Sequence, residues 1–339
     1  MGTTTEIAIV LQLFRHSFTS VTSVTLIHCN HNGYRHYTPL GPRANDWSCK
    51  HLRSRFHSLV SRRYTARQAA AKGHGRGAVV LKKSYDGGLT WSDRLPTPQN
   101  WETSLEVPTL YRVVDPQGIR RLIMFSGLYP VRMAASEDDG DTWTPLEPIG
   151  DFGGVVAMAD CIRLKDGRYM AVFHDDGRFL HNAGQPSGVW EVYRILSEDG
   201  GLTWSAPLVC VTRPNTHLCE PGLVRSPDGN QICMLLRENS RQYNSFVTFS
   251  DDEGETWGEP RELPAALTGD RHQGLYAPDG RLFISFRDMT HESPTRGDWV
   301  AWVGTYEDIV EGRRGHLPEI RERIAHVDLS TLTRSTRSL

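Results

Sequence analysis

Four copies of one eight-residue pattern, S-x-D-x-G-x-T-W, punctuate this chain. They are SYDGGLTW (Ser84–Trp91), SEDDGDTW (Ser136–Trp143), SEDGGLTW (Ser197–Trp204) and SDDEGETW (Ser250–Trp257). Their starts lie 52, 61 and 53 residues apart. Self-similarity at such a period points to a solenoid, a propeller or an array of units. The residues within the pattern are those of a tight turn. An Asp carboxylate accepts hydrogen bonds from backbone N–H groups just ahead of it. A Gly takes the positive-φ position. Ser and Thr hydroxyls bond locally to the backbone, and a Trp fills the space between a hairpin and its neighbour. Asp86, Asp138, Asp199 and Asp252 therefore read as structural, not catalytic.

A second feature recurs ahead of the later boxes. LKDGRYMAVFHDDG starts at Leu164, SPDGNQICMLLREN at Ser226 and APDGRLFISFRDMT at Ala277, with a looser version, VDPQGIRRLIMFSG, at Val114. Each is a Gly-containing turn followed by an apolar or alternating run, the signature of a hairpin. One unit is then strand, D-G turn, strand, loop, strand, box turn, strand, which is the four-stranded blade of a β-propeller. The expected fold class is all-β. The end of one blade (78–92), three full blades (about 105–144, 155–205 and 218–258) and a fifth without a box (about 270–306) are legible in the sequence.

The flanks differ from this. Residues 1–77 hold eleven Lys/Arg against two acids, Glu6 and Asp46. They show no sustained period of 2 or 3.6 and are read as a basic N-terminal segment foreign to the fold. The run IAIVLQLF (7–14) is similar to a short signal h-region but lacks a basic n-region, and Arg15 and His16 interrupt it. A cytoplasmic location is therefore expected over secretion. Residues 312–339 form a second basic tail, leaving 78–311 as the propeller. The six cysteines show no C-x-x-C spacing, which predicts neither a zinc site nor a dense disulfide framework. No run of about 18 apolar residues occurs, and neither G-x-G-x-x-G nor a P-loop is present, so no membrane span and no nucleotide or nucleic-acid partner is expected.

The boxes resemble the Asp-boxes of the sialidase (neuraminidase) superfamily, whose fold is a six-bladed propeller. The segment CEPGLVRSPDGNQICMLLREN resembles the sialidase blade in which a Glu opens the innermost strand and an Arg closes the next. The resemblance implies removal of terminal sialic acid from a glycan, glycoprotein or glycolipid by a retaining mechanism without a cofactor. It makes Glu220 the base for a Tyr nucleophile and Arg237 one member of an Arg cluster on the substrate carboxylate. Bidentate guanidinium–carboxylate bonds suit that task, and a neutral phenol needs a neighbouring base.

Arg287, in FISFRD, takes the same place in its blade as Arg237 in CMLLRE, and Arg271 and Asp160 are further candidate substrate contacts. His174 with Asp175, and His272 and Asp288, lie on the same inner strands. The family's first Arg and its acid Asp precede the first box, where this chain reads ARQAAAKGHGRGAVVLKKS. The nucleophilic Tyr belongs to a sixth blade; Tyr276 and Tyr306 are the nearest tyrosines, and neither has that setting. The propeller is thus expected to be altered or cut short at both ends. The alternative is a carbohydrate-binding or scaffold propeller without catalysis.

Overall fold

A computed structural model describes residues 77–85, 90–103, 108–156, 158–180 and 185–315, and the backbone of three earlier strand segments. Those segments are β1 (Ala8–Phe14), β2 (Val21–Thr25) and β3 (Arg62–Arg63). They are followed by β4 (Gly77–Ala78) and β5 (Lys82–Ser84). β1 runs antiparallel to β5, with Ala8 opposite Ser84 and Val10 opposite Lys82, and β2 pairs with the other side of β1. The apolar run read as similar to an h-region is thus a strand. The rest of the basic head, the tail from residue 316 and Asp86 lie outside the described residues.

Four antiparallel sheets follow in chain order. The first is β6 (Thr109–Val114), β7 (Arg120–Ser126), β8 (Arg132–Ser136) and β9 (Glu147–Pro148). The second is β10 (Asp160–Arg163), β11 (Tyr169–Asp175), β12 (Glu191–Ser197) and β13 (Leu208–Thr212). The third is β14 (Leu218–Arg225), β15 (Ile232–Glu238), β16 (Phe246–Ser250) and β17 (Arg261–Glu262). The fourth has three strands, β18 (Gly269–Tyr276), β19 (Leu282–Asp288) and β20 (Trp299–Gly304). Each sheet is a sequential meander, as the repeated strand–turn–strand units predict. Helix α1 (Tyr306–Val310) comes next, closed at its N-terminus by a Thr305–Asp308 capping box.

The second strand of each of the middle sheets is apolar up to its last two residues because both faces are covered. β11 is buried along its whole length, and β15 everywhere but Arg237. β20 alternates between buried and half-buried residues. The described residues group into two compact units. One holds the described residues up to Met158 with Gly167–Tyr169 and Leu196–Ala206; the other holds Ala159–Asp166, Met170–Ile195 and the residues from Pro207 onward. The first contains a core of Leu110, Leu122, Met124 and Ala134 with Val79, Leu81 and Trp101. In the second, Val224, Leu235, Val247, Ile284, Phe286 and Trp302 pack with Tyr306 and Ile309 of α1.

The box chemistry is as the residue types predict. In the fourth copy, Asp252 Oδ1 accepts from the Thr256 N–H at 2.9 Å and from Ser250 Oγ at 2.8 Å, and Asp252 Oδ2 accepts from Thr256 Oγ1. Ser250 Oγ in turn accepts the buried Gly254 N–H at 2.8 Å. Gly254 has φ +85°, and a Cβ there would stand 2.6 Å from Met170 Sδ, so the turn both needs the left-handed region and seats against β11. Asp138 and Asp199 make the same bonds in their copies. Trp204 meets Phe125 edge-on at 5.4 Å, and Trp143 meets Trp101 at the same distance.

The Ser250→Ala substitution removes the acceptor of a buried N–H without adding bulk. It is expected to cost about 1–3 kcal/mol of unfolding free energy. Denaturant melts of the two proteins, compared at fixed m-value, measure it; an unchanged midpoint would show that the hydroxyl is not holding the turn.

Candidate active site

Three second strands end alike. β11 closes on His174–Asp175, β15 on Arg237–Glu238 and β19 on Arg287–Asp288, in each case a basic residue followed by an acid in the last two positions of a seven-residue strand. The acids turn inward to fasten the loops beyond. Asp175 accepts from the Phe179 and Leu180 N–H groups, Glu238 from His217 N–H and Ser240, and Asp288 from Thr290 N–H, Ser293 and Thr295. Asp175 and Asp288, noted in the sequence beside the candidates, are thus loop anchors. The basic residues carry the site.

The facing inner strands each contain a β-bulge. In β14 the register shifts between Cys219 and Gly222, and in β18 between Asp270 and Gln273. The residue after the break is left-handed in both, Glu220 at φ +48° and Arg271 at φ +57°. A non-glycine residue in that region is strained and marks a held geometry. Gly222 is required beside the bulge: a Cβ there would lie 2.2 Å from the His272 carbonyl oxygen. Glu220 and Arg271 therefore occupy equivalent places on consecutive inner strands, opposite the ends of β15 and β19.

These elements bring Glu220, Arg237 and Arg271 together. Arg237 Nη1 donates to Glu220 Oε1 at 2.7 Å, and Arg271 Nε lies 3.8 Å from the same oxygen. Glu220 is 5% exposed, and its Oε2 is buried without a hydrogen-bond partner. Burial acts to raise its pKa, but the Arg271 and Arg237 guanidiniums outweigh it and hold the carboxylate well below its usual range. The Glu220 N–H donates to His174 Nδ1 at 3.2 Å. That bond requires a neutral ring with its proton on Nε2. His174 stacks on Trp190, and Trp190 on His217.

Asp270 forms the second centre. Its Oδ2 accepts from Arg287 Nε at 2.8 Å and from Arg287 Nη2, and its Oδ1 accepts from Arg241 Nη2 at 2.6 Å. Arg237 Nε lies 3.2 Å from the same Oδ1, and Arg237 Nη2 donates to Asn239. Four guanidiniums (Arg237, Arg241, Arg271, Arg287) thus meet two carboxylates (Glu220, Asp270), a formal balance of +4 − 2 = +2.

The other sequence candidates lie elsewhere in the network. Asp160 Oδ2 accepts the Leu223 N–H and its Oδ1 the Cys161 N–H, both at 2.7 Å, so it ties β10 to β14. Burial pushes its pKa up to about 7 against those two bonds. His272 is fully buried, with Nε2 on the Leu267 carbonyl and its ring on Phe286. The Tyr276 hydroxyl donates to the Arg225 carbonyl, and the Tyr306 hydroxyl to Gln231. Sequence reasoning missed Asp270, Arg241, Asn239 and Trp190. Asp270 had a readable signal, an acid–base pair in GDRH where the preceding unit reads LCEP. No cluster of His, Cys, Asp or Glu among the described residues has the arrangement of a metal site.

His174 makes stability pH-dependent. Burial is the largest cause pulling its pKa from 6.5 down to about 4. Between those values the unfolded chain binds the proton and the folded chain does not, so the contribution is present above pH 6.5 and is lost as pH falls toward 4. The loss is on the order of 3 kcal/mol. Asn places an amide oxygen where Nδ1 sits and does not titrate, so His174→Asn is expected to flatten this slope in melts at pH 7 and pH 4.5. Equal acid losses in the two proteins would assign the slope to other groups.

The family model for the BNR repeat-like domain matches residues 131–303, just over half of the chain. A sialidase of Paraclostridium sordellii is 27% identical over 179 residues, and one of Clostridium perfringens 26% over 180 residues. Each alignment covers 46% of this chain, and 44% and 47% of those proteins, so the chain spans under half the length of either. A separate 33-residue stretch is 76% identical to the tryptophan biosynthesis protein TrpCF of Corynebacterium glutamicum, covering 10% of this chain and 7% of that protein. Among solved structures, a protein of unknown function from Dyadobacter fermentans aligns with TM-score 0.50 at 16% identity, covering 68% of this chain and 69% of that one. The repeated boxes, the four antiparallel meanders and the family match agree: the chain belongs to the BNR repeat-like domain family, and its fold class is the sialidase-type β-propeller.

Proposed function

We propose that this protein is a sialidase-like glycoside hydrolase acting on a terminal acidic sugar. The observation that carries this reading is the buried carboxylate of Glu220 between Arg237 and Arg271, with one oxygen free of hydrogen bonds. The sialidases that align with this chain support it. A positive site beside an ionised, water-poor carboxylate suits a sugar that carries its own negative charge. It also suits the positive charge that develops at the anomeric carbon in an oxocarbenium-like transition state.

In the retaining scheme a Tyr hydroxyl gives its proton to Glu220, and its oxygen attacks the anomeric carbon as the glycosidic bond breaks. An acid protonates the departing oxygen, and water then releases the sugar and restores the Tyr. In this chain Glu220 Oε2 is the acceptor for that proton. His174 holds the backbone from which Glu220 projects, and Arg271 faces the sugar's carboxylate. Tyr276 and Tyr306 are committed to Arg225 and Gln231 and do not take the nucleophile's role here.

One observation favours a second reading. A carboxylate pinned by Arg237 at 2.7 Å and faced by Arg271 at 3.8 Å is held below its usual pKa and is a weakened base. It is well suited to accept hydrogen bonds from sugar hydroxyls in a binding propeller that does not turn over its ligand.

The test is release of a fluorogenic sialic acid glycoside by the full chain across pH 4–8, alongside equilibrium binding of N-acetylneuraminic acid. In the hydrolase, Glu220→Gln is expected to lower the release rate by about 100-fold or more, the scale of a lost general base. Saturable binding with no release in the parent, weakened in Glu220→Gln, is the result that decides for the binding propeller.

A further inference from the structure

Three guanidiniums close on a single carboxylate that belongs to the protein itself. Asp270 is 1% exposed. One of its oxygens takes the Nε–Nη2 edge of Arg287, and the other takes Arg241 and stands 3.2 Å from Arg237 Nε. Side-on pairing of a guanidinium edge with a carboxylate, backed by further arginines, is how a bound acid is held. Here the bound acid is built in.

The backbone does not demand an acid at this place. β14 and β18 carry the same bulge, and in β14 the residue paired with the strand-ending Arg is Cys219, opposite Arg237. In β18 it is Asp270, opposite Arg287. The fold accommodates a buried thiol at one and a carboxylate at the other.

The consequence is a division of labour among the arginines. Arg237 spends Nη1 on Glu220 and Nη2 on Asn239, while its buried Nε stands 3.2 Å from Asp270 Oδ1 without a hydrogen bond. Arg287 and Arg241 are committed to Asp270. Arg271 makes no hydrogen bond to any described residue, and its one ionic contact is the 3.8 Å approach of Nε to Glu220. Its side chain is 20% exposed.

We infer that Asp270 is a specificity-determining residue, an internal counter-ion that fills the arginine clamp and leaves Arg271 as the group that meets a ligand's carboxylate. This rests on the reading of the Glu220 cluster as the sugar site. It implies that the natural clamp takes one carboxylate and discriminates against multiply charged ligands, and that neutralising Asp270 opens it.

Asp270→Asn keeps the shape and one acceptor while removing the charge, and raises the cluster balance from +2 to +3. The full-length chain, Asp270→Asn, Arg271→Ala and Arg287→Ala are compared by calorimetric binding of N-acetylneuraminic acid and by thermal melts with and without formate. We expect Asp270→Asn to bind the acid at least about tenfold more tightly, a difference of about 1.4 kcal/mol. Formate is expected to raise the Tm of Asp270→Asn by clearly more than that of the parent, in which Arg271 alone is open to it. In the parent, Arg271→Ala is expected to weaken binding of the acid more than Arg287→Ala does. Formate raising both Tm values equally would overturn the inference, as would a parent whose acid binding depends on Arg287 and not on Arg271. If Asp270→Asn does not fold, the Arg271 and Arg287 comparison decides. The formate readout needs no turnover, so a chain that fails to hydrolyse sialosides still tests the inference.

Discussion

The box turn depends on one buried hydrogen bond, from the glycine N–H to the first serine's hydroxyl oxygen. It is 2.7 Å at Gly140, 2.7 Å at Gly201 and 2.8 Å at Gly254. A donor sealed from water in this way must find an acceptor, and the serine is the nearest one the chain offers. Once it is made, the Asp carboxylate can gather the N–H and hydroxyl of the Thr beyond, and the Trp is fixed over the turn. The turn becomes a rigid corner and gives its glycine a close seat. Gly254 rests on Met170, and Gly201 lies against Ile123. The meander needs such corners because a single antiparallel sheet cannot bury both faces by itself.

Rigid corners leave the other ends of the strands free to carry charge. The two bulges place Glu220 and Arg271 in left-handed backbone conformations, the strand ends opposite them deliver Arg237 and Arg287, and the end of β11 delivers His174. Each basic side chain then finds a carboxylate or an N–H, and each following acid fastens a loop. Burial alone would keep Glu220 protonated; the arginines keep it ionised. The same burial keeps His174 neutral, so that it can accept the Glu220 N–H. Burial favours the neutral form of both groups, raising a carboxyl's pKa and lowering an imidazole's, and at Glu220 the neighbouring guanidiniums reverse it.

Much of this was legible in the residues. The box pattern identified the hairpins, their spacing marked the units, and the apolar second strands followed from the D-G turns. Within the site, Glu220 and Arg237 were readable because they open and close strands in one hairpin, and they do touch. Arg287 was readable by its equivalent place in the next unit, but its partner was not. Asp160 was grouped with the site by strand position, and the structure uses it to join two inner strands through the Leu223 N–H.

The sequence by itself determined the local chemistry: which turns form, which strands are buried on both faces, and which residue types stand at strand ends. Those properties depend on neighbours a few residues away. The tertiary structure decided the electrostatics. Whether an arginine faces a ligand or an internal acid depends on the bulge in the facing strand, which shifts the register and turns one residue into the left-handed region. Arg237 and Arg287 look alike along the chain. Cys219 stands opposite one and Asp270 opposite the other, and only the folded register brings in Glu220, Arg241 and Arg271 around them.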